Sequence, residues 1–238
     1  MTGDRDDWWE RPDQPHLYDH FRWSWPRRHH HAIRAVSALI VLLLSALPVE
    51  RARVGDLEAD VFAAINELPG WLYPPVWLVM QLGNLFAVPV VVVVALLLRR
   101  PRLAIDLGVA GSLAWTLARV VKETIVRARP SSLLQEVIVR GPAADGQGYV
   151  SGHTAVAFAL ATVASAYLDR RGEIVVWTLA AIVALSRLYV GAHLPLDVIG
   201  GGAMGWAIGS LVHLALGAPH PRRPKEIGSG EKEEGKGV

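Results

Sequence analysis

Ser186-Arg187-Leu188-Tyr189-Val190-Gly191-Ala192-His193-Leu194-Pro195-Leu196-Asp197 joins two apolar runs, each long enough for a membrane helix. The stretch brings a cation (Arg187), an imidazole (His193) and a carboxylate (Asp197) to one place. A charge at the centre of a bilayer helix costs about 2.5–3.5 kcal/mol, so ionisable residues flanked this closely by membrane segments mark a functional site by default. Pro195 suits the first turn of a helix. That sets His193 just before a helix N-terminus, where the macrodipole favours an anion. Asp197, four residues on, can reach back to one ring nitrogen of His193 and leave the other more nucleophilic. The plainer reading of the same residues is a helix-capping Asp beside an interfacial His, with Arg187 anchored at the headgroups.

Outward from this stretch the chain reads as an all-α membrane bundle. Of 238 residues, 52% are apolar, and they fall in runs; mean hydropathy is +0.29. Six transmembrane helices are expected, from 32–47, 76–98, 103–126, 153–168, 174–190 and 194–216. The domain reading is a cytoplasmic, largely disordered tail over 1–31, a membrane domain over 32–216 and a second disordered cytoplasmic tail over 217–238. The first 25 residues lack an apolar core, so the run from Ala32 is expected to act as an uncleaved signal anchor. Residues 50–68 read as a short amphipathic helix at the interface. Gln81 and Asn84, inside the second span, read as helix–helix hydrogen-bonding residues. A metal site at His29 to His31 is not favoured over a headgroup-level basic and aromatic segment. The glycine-rich sixth span suits close helix packing, within one protomer or between two. Oligomeric state is left open.

Net charge is only +2, and the basic residues are scattered in short groups, which argues against a nucleic-acid partner. Cysteine is absent, which excludes disulfides, thiol nucleophiles and zinc–thiolate sites. With six spans, the basic groups at 27–34, 99–102, 170–171 and 222–225 all fall on one side. By the positive-inside rule that side is the cytoplasm, leaving the loops 48–70, 127–150 and 191–193 on the extracytoplasmic face.

Polar clusters on that face can therefore meet. Lys122 and Arg129 are seven residues apart, two helical turns on one side of a helix. Pro130 pushes Arg129 out of helical conformation. Ser151, Gly152 and His153 open the fourth span, where serine is a favoured N-cap and the next amides are unpaired donors. Gly152 allows close approach of an anion. Three cations and a group of amides make an anion site. Two histidines and a carboxylate supply a nucleophile, an orienting group and a proton donor. This set suits phosphoryl transfer to histidine and then to water, and it contains no carboxylate cluster to hold a divalent metal.

In these motifs the chain resembles the type 2 phosphatidic acid phosphatase family, which shares its site with vanadium haloperoxidases. Lys122, six residues, then Arg129-Pro130 fits the first motif. Ser151-Gly152-His153 fits the second, and Ser186-Arg187, five residues, His193, three residues, Asp197 fits the third. The resemblance spans roughly residues 50–215. Val150 stands where the family usually has proline, which removes rigidity but no chemical group. The resemblance implies a six-helix membrane fold and an extracytoplasmic, metal-independent site without a cofactor. It implies that His193 attacks phosphorus, Asp197 orients and polarises His193, and His153 protonates the leaving oxygen and later activates water. Lys122, Arg129 and Arg187 would hold the phosphate oxygens, with Ser151 and the Gly152 amide completing the cradle. Arg119 and Arg127 match no motif position and read as interfacial or supporting residues.

The function that follows is hydrolysis of a lipid phosphate or pyrophosphate held in the bilayer: an isoprenoid phosphate or pyrophosphate, phosphatidic acid, or phosphatidylglycerol phosphate. The alternatives are a non-catalytic lipid-phosphate binder or transporter, and a vanadate-dependent haloperoxidase. The expected location is the membrane, of a bacterial cell, with both termini cytoplasmic. A reporter enzyme fused after Val238 is expected to give a cytoplasmic signal; a periplasmic signal would overturn the orientation.

Overall fold

The computed structural model describes residues 28–49, 53–142 and 146–218. Its helices are α1 (Arg28–Ala46), α2 (Asp56–Asn66), α3 (Tyr73–Met80), α4 (Ala87–Leu97), α5 (Pro101–Thr124), α6 (Pro130–Leu133), α7 (Gly152–Ser165), α8 (Arg170–Tyr189) and α9 (Pro195–Leu216). No strand occurs among the described residues. Most of the two tails read as disordered, and the 222–225 basic group, lie outside the described residues.

Prolines open several of these helices. Pro101, Pro130 and Pro195 each sit in a first turn, where the missing N–H costs nothing and φ is already helical. Asp169 caps α8, its carboxylate accepting from Gly172 N at 2.9 Å.

α9 is the packing centre, lying mainly against α1 and α7. Gly201, Gly205 and Gly209 recur every four residues, so they share one face, and that face meets α7. A Cβ at Gly201 would lie 2.5 Å from Ser151 O, and one at Gly209 would lie 2.5 Å from Thr162 Cβ. At Gly205 it would run into Ala155 O. Where lipid replaces water, such close backbone approach supplies the packing that drives helix association. The glycine face is thus consumed inside the chain. α5 covers the other side of α7, and α8 joins it through Phe158 and Trp177, edge to face at 5.6 Å.

Among the described residues, four helices are long and apolar enough to cross a membrane: His29–Ala46, Pro101–Thr124, Arg170–Tyr189 and Pro195–Leu216. A fifth candidate is the pair Gly70–Gly83 and Ala87–Leu97, bent by 73°. α7 is apolar but only 14 residues long, about 21 Å at 1.5 Å per residue against a hydrocarbon core of ~30 Å. The count of six is therefore reached only by including a broken span and a short, deeply buried helix.

Several boundaries differ from expectation. The single span expected over 76–98 is interrupted by a 3-10 turn at Gln81–Gly83. Gln81 and Asn84 bond within their own segment rather than across helices: Gln81 Nε2 donates to Trp77 O at 3.0 Å, and Asn84 Oδ1 accepts from Phe86 N at 3.4 Å. α1 begins at Arg28 and not Ala32, so 28–31 belong to the bundle; the His31 ring lies 5.1 Å from that of His213. α8 begins at Arg170, ahead of Ile174. The amphipathic α2 is not a free interfacial helix: Phe62 is buried among Leu188 and Leu194.

The bundle has two chemically distinct ends. At one, Arg100 reaches Tyr167 O (3.5 Å) and Arg102 reaches Asp106 Oδ2 (3.1 Å) and Leu216 O (2.7 Å). At the other, α2, the 125–150 segment and the α8–α9 turn converge.

Candidate active site

The α8–α9 turn folds back on Arg187. Its carbonyl accepts from Ala192 N (3.0 Å) and His193 N (3.2 Å), which ties the placement of the histidine to that of the arginine. Gly191 takes φ +74°, and a Cβ there would lie 2.7 Å from Ile138 O. Both facts require glycine at this position.

Pro195 then starts α9, and Asp197 turns back over its first turn. Its Oδ2 accepts from Leu194 N at 2.9 Å and lies 3.4 Å from His193 Nδ1. Its Oδ1 accepts from Arg127 Nη1 at 2.7 Å. One carboxylate thus caps the first turn of α9 and lies beside the His193 ring. Arg129 Nη1 lies 3.0 Å from His193 Nε2. The same guanidinium nitrogen lies 3.4 Å from Nδ1; because a guanidinium only donates, the nearer contact favours the lone pair on Nε2 and the ring proton on Nδ1, on the side of Asp197. Burial, then the Arg187, Lys122 and Arg129 cations and His153, hold the His193 pKa well below the usual histidine value. The imidazole is thus neutral at neutral pH.

Lys122 and Arg129 do not share a helix, contrary to the two-turn reading: α5 stops at Thr124 and Ile125 is extended. Arg129 is extended too (φ −73°, ψ 159°), as the following proline demands, and Pro130 opens α6. Loop carbonyls aim the two cations. Lys122 Nζ donates to Gln147 O (2.9 Å), Arg129 Nη1 to Ala192 O (2.7 Å) and Arg129 Nε to Gly146 O (3.1 Å). Arg187 is buried, with Nη1 2.8 Å from Met80 Sδ; its Nε has no hydrogen-bond partner among the described residues.

Ser151 occupies the N-cap position of α7, but its side chain does not cap. Its Oγ accepts from Thr154 Oγ1 (3.0 Å), and its amide donates to Asp197 O (2.9 Å), joining the starts of α7 and α9. A Cβ on Gly152 would point at Trp115 and Ala118 of α5 at ordinary contact distance. What Gly152 offers an anion is therefore its amide. His153 and Arg187 line one cavity of about 300 Å³, opposite Tyr73, Trp77, Gln81 and Asn84.

Several supporting residues carry no motif signal. Arg127 is buried between two carboxylates, Asp197 and Glu58, each 2.7 Å away. Burial opposes its charge, but Asp197 and Glu58 outweigh that and raise its pKa. Glu58 also accepts from Leu196 N at 3.0 Å, so α2 braces the start of α9. Asn66 donates to Ile138 O and Leu188 O and accepts from Ile138 N. Arg140 lies 4.1 Å over the Tyr189 ring. These partners are 49 to 138 residues apart in sequence, so no local pattern could pair them.

Residues 103–219 match the PAP2 superfamily. It is 34% identical over 95 residues to the lipid A 4'-phosphatase of Porphyromonas gingivalis, covering 35% of this chain and 39% of that protein. It is 28% identical over 129 residues to the undecaprenyl-diphosphatase of Sulfolobus acidocaldarius, covering 52% of this chain and 59% of that one. The chain thus spans about two fifths to three fifths of these relatives. The crystal structure of Aquifex aeolicus LpxE superposes with a TM-score of 0.62 at 26% identity, covering 66% of this chain and 95% of the other. A transmembrane PAP2-type phosphatidylglycerolphosphate phosphatase of Bacillus subtilis shares the fold, with a TM-score of 0.63 at 22% identity, covering 75% and 94%. With its apolar helices, this likeness makes the chain an integral membrane protein.

Removing one partner of a buried ion pair leaves an uncompensated charge and costs about 3–5 kcal/mol. Arg127→Met is accordingly expected to destabilise the protein by that order in detergent thermal unfolding. Glu58→Gln, which keeps an acceptor for Leu196 N, is expected to cost less. A loss below about 1 kcal/mol for Arg127→Met would mean that the Glu58–Arg127–Asp197 chain does not hold the site.

Proposed function

We propose that the protein hydrolyses a phosphomonoester or pyrophosphate of a membrane lipid through a phosphohistidine on His193, without a metal ion. The observation that carries this reading is the placement of His193, with Nε2 3.0 Å from the Arg129 guanidinium and Nδ1 3.4 Å from the Asp197 carboxylate. A nucleophile oriented by a carboxylate, beside donors for the electrophile's oxygens, is the general layout for covalent catalysis.

In the first step the Nε2 lone pair attacks phosphorus, an N–P bond forms and the bond to the leaving oxygen breaks. His153 gives that oxygen its proton. Asp197 balances the positive charge that develops on the His193 ring, and Arg127 keeps Asp197 ionised and in place. In the second step His153 takes a proton from water, the oxygen attacks phosphorus, and the N–P bond breaks, returning neutral His193 and releasing phosphate. Lys122, Arg129 and Arg187, with the first amides of α7, face the charge that spreads over the phosphoryl oxygens. Such fixed donors contribute most to a loose phosphoryl-transfer transition state, and here they do the work a divalent ion does elsewhere. The buried, unpartnered Arg187 Nε supports an anion as the missing partner, because buried donors are almost always satisfied.

The family match supports the reaction, and the names of the two curated relatives support a lipid phosphate as its substrate. The distribution of basic groups supports an extracytoplasmic site.

Purified protein in detergent with EDTA is expected to release phosphate from a lipid phosphate. His193→Ala should lower the rate by about three orders of magnitude or more, as loss of a nucleophile does. Strict dependence on added Mg²⁺, or a His193→Ala rate near wild type, would overturn the mechanism. Lipid phosphate binding without turnover by the folded wild-type protein would favour the binder reading.

A further inference from the structure

The break between α3 and α4 lies at the cavity that His153 and Arg187 share. A Cβ on Gly83, in that break, would come within 2.5 Å of His153 O and 2.7 Å of Val183 Cγ1. The break is therefore seated directly against the histidine's own backbone. It also brings two neutral amides, Gln81 and Asn84, to the cavity wall. Each has one local hydrogen bond, through Gln81 Nε2 and Asn84 Oδ1, which leaves Gln81 Oε1 as an acceptor and Asn84 Nδ2 as a donor. Polar amides inside a segment otherwise apolar enough to cross a membrane are costly unless they have a partner.

The charges in the cavity are distributed unevenly. Arg187 belongs with the phosphate being transferred. The other cation that lines it among the described residues, Arg140, is committed to backbone: Nη1 donates to Asn66 O (2.7 Å) and Tyr189 O (2.6 Å), and Nη2 to Leu68 O (2.8 Å). A second, leaving phosphate would thus meet neutral amides where it needs cations. A hydroxyl-bearing leaving group would find a donor, an acceptor and the Trp77 ring.

On the reading of the site given above, we propose that Gln81 and Asn84 form a leaving-group subsite. It hydrogen-bonds the hydroxyls of a neutral polyol, and so selects a phosphomonoester on a sugar or glycerol headgroup over an isoprenoid diphosphate. A few polar groups in a largely apolar pocket are what fix ligand orientation, and a site built to bond a hydroxyl rejects a ligand that lacks it.

The test compares four substrates with the purified full-length protein: a glycolipid phosphate, phosphatidylglycerol phosphate, an isoprenoid diphosphate and 4-nitrophenyl phosphate. Wild type is expected to turn over at least one of the two polyol lipids with kcat/KM about tenfold or more above the isoprenoid diphosphate, and which one it prefers distinguishes sugar from glycerol. The Gln81→Leu/Asn84→Leu variant is expected to lose about tenfold more on that lipid than on 4-nitrophenyl phosphate. A wild-type preference for the isoprenoid diphosphate would overturn the subsite, as would an equal loss on every substrate in both the double variant and the milder Asn84→Ser. Turnover of none of the four by folded wild type would instead bring down the phosphatase reading itself.

Discussion

Everything at the site hangs from the carboxylate of Asp197. It is fully buried at the foot of α9, where it closes the first turn through Leu194 N, lies 3.4 Å from His193 Nδ1 and pairs with Arg127. A lone carboxylate there would be prohibitively costly. Arg127 and, behind it, Glu58 make the charge tolerable, and Glu58 in turn holds Leu196 N. The helix start, the tautomer of the histidine and the docking of α2 are thus one electrostatic arrangement. That arrangement ties α2, the short helix that follows the first span, to the placement of His193.

The distance between the two histidines is set by backbone packing rather than by side chains. The Gly201–Gly205–Gly209 face lets α9 lie directly on α7, and the Ser151 amide bonds the Asp197 carbonyl where the two helices start. Side chains larger than hydrogen on that face would push α7, and His153 with it, away from the α8–α9 turn. The third element, α8, is registered through the Arg187 carbonyl, which holds Ala192 and His193. Three helix ends are therefore fixed to one another by main-chain contacts, which is the rigidity that positioned donors require.

Much of the site was legible in the sequence. The Arg187–His193–Asp197 spacing, the proline at 195 and the Ser151-Gly152-His153 start were each readable from the requirements of helix termini and buried charge. The structure brings these residues together at the end of the bundle opposite Arg100 and Arg102. The illegible part is of two kinds. Glu58, Asn66 and Arg140 act across some 70 residues of chain, and an acidic residue in a short amphipathic helix reads first as solvated. The broken span at Gln81–Gly83 was hidden for a different reason. Apolar residues flank it on both sides, Leu78 to Met80 before and Leu85 to Val88 after, so hydropathy averages over the bend, and its two amides looked like interhelical glue. Lys122 and Arg129 carried a different error: their spacing was read on one helix, but α5 ends at Thr124, too early to hold both.

The account's central claim is that phosphorus is bonded to His193 during turnover. The most direct measurement is rapid quenching of the enzyme with a 32P-labelled lipid phosphate into alkali, followed by a count of label on the protein. A phosphoramidate survives base and is lost in acid, so the expected result is alkali-stable, acid-labile label in the wild type and none in His193→Ala. Slowing its breakdown with His153→Ala should not abolish it. Steady turnover with no protein-bound label at any quench time, and with full label exchange directly to water, would contradict the account.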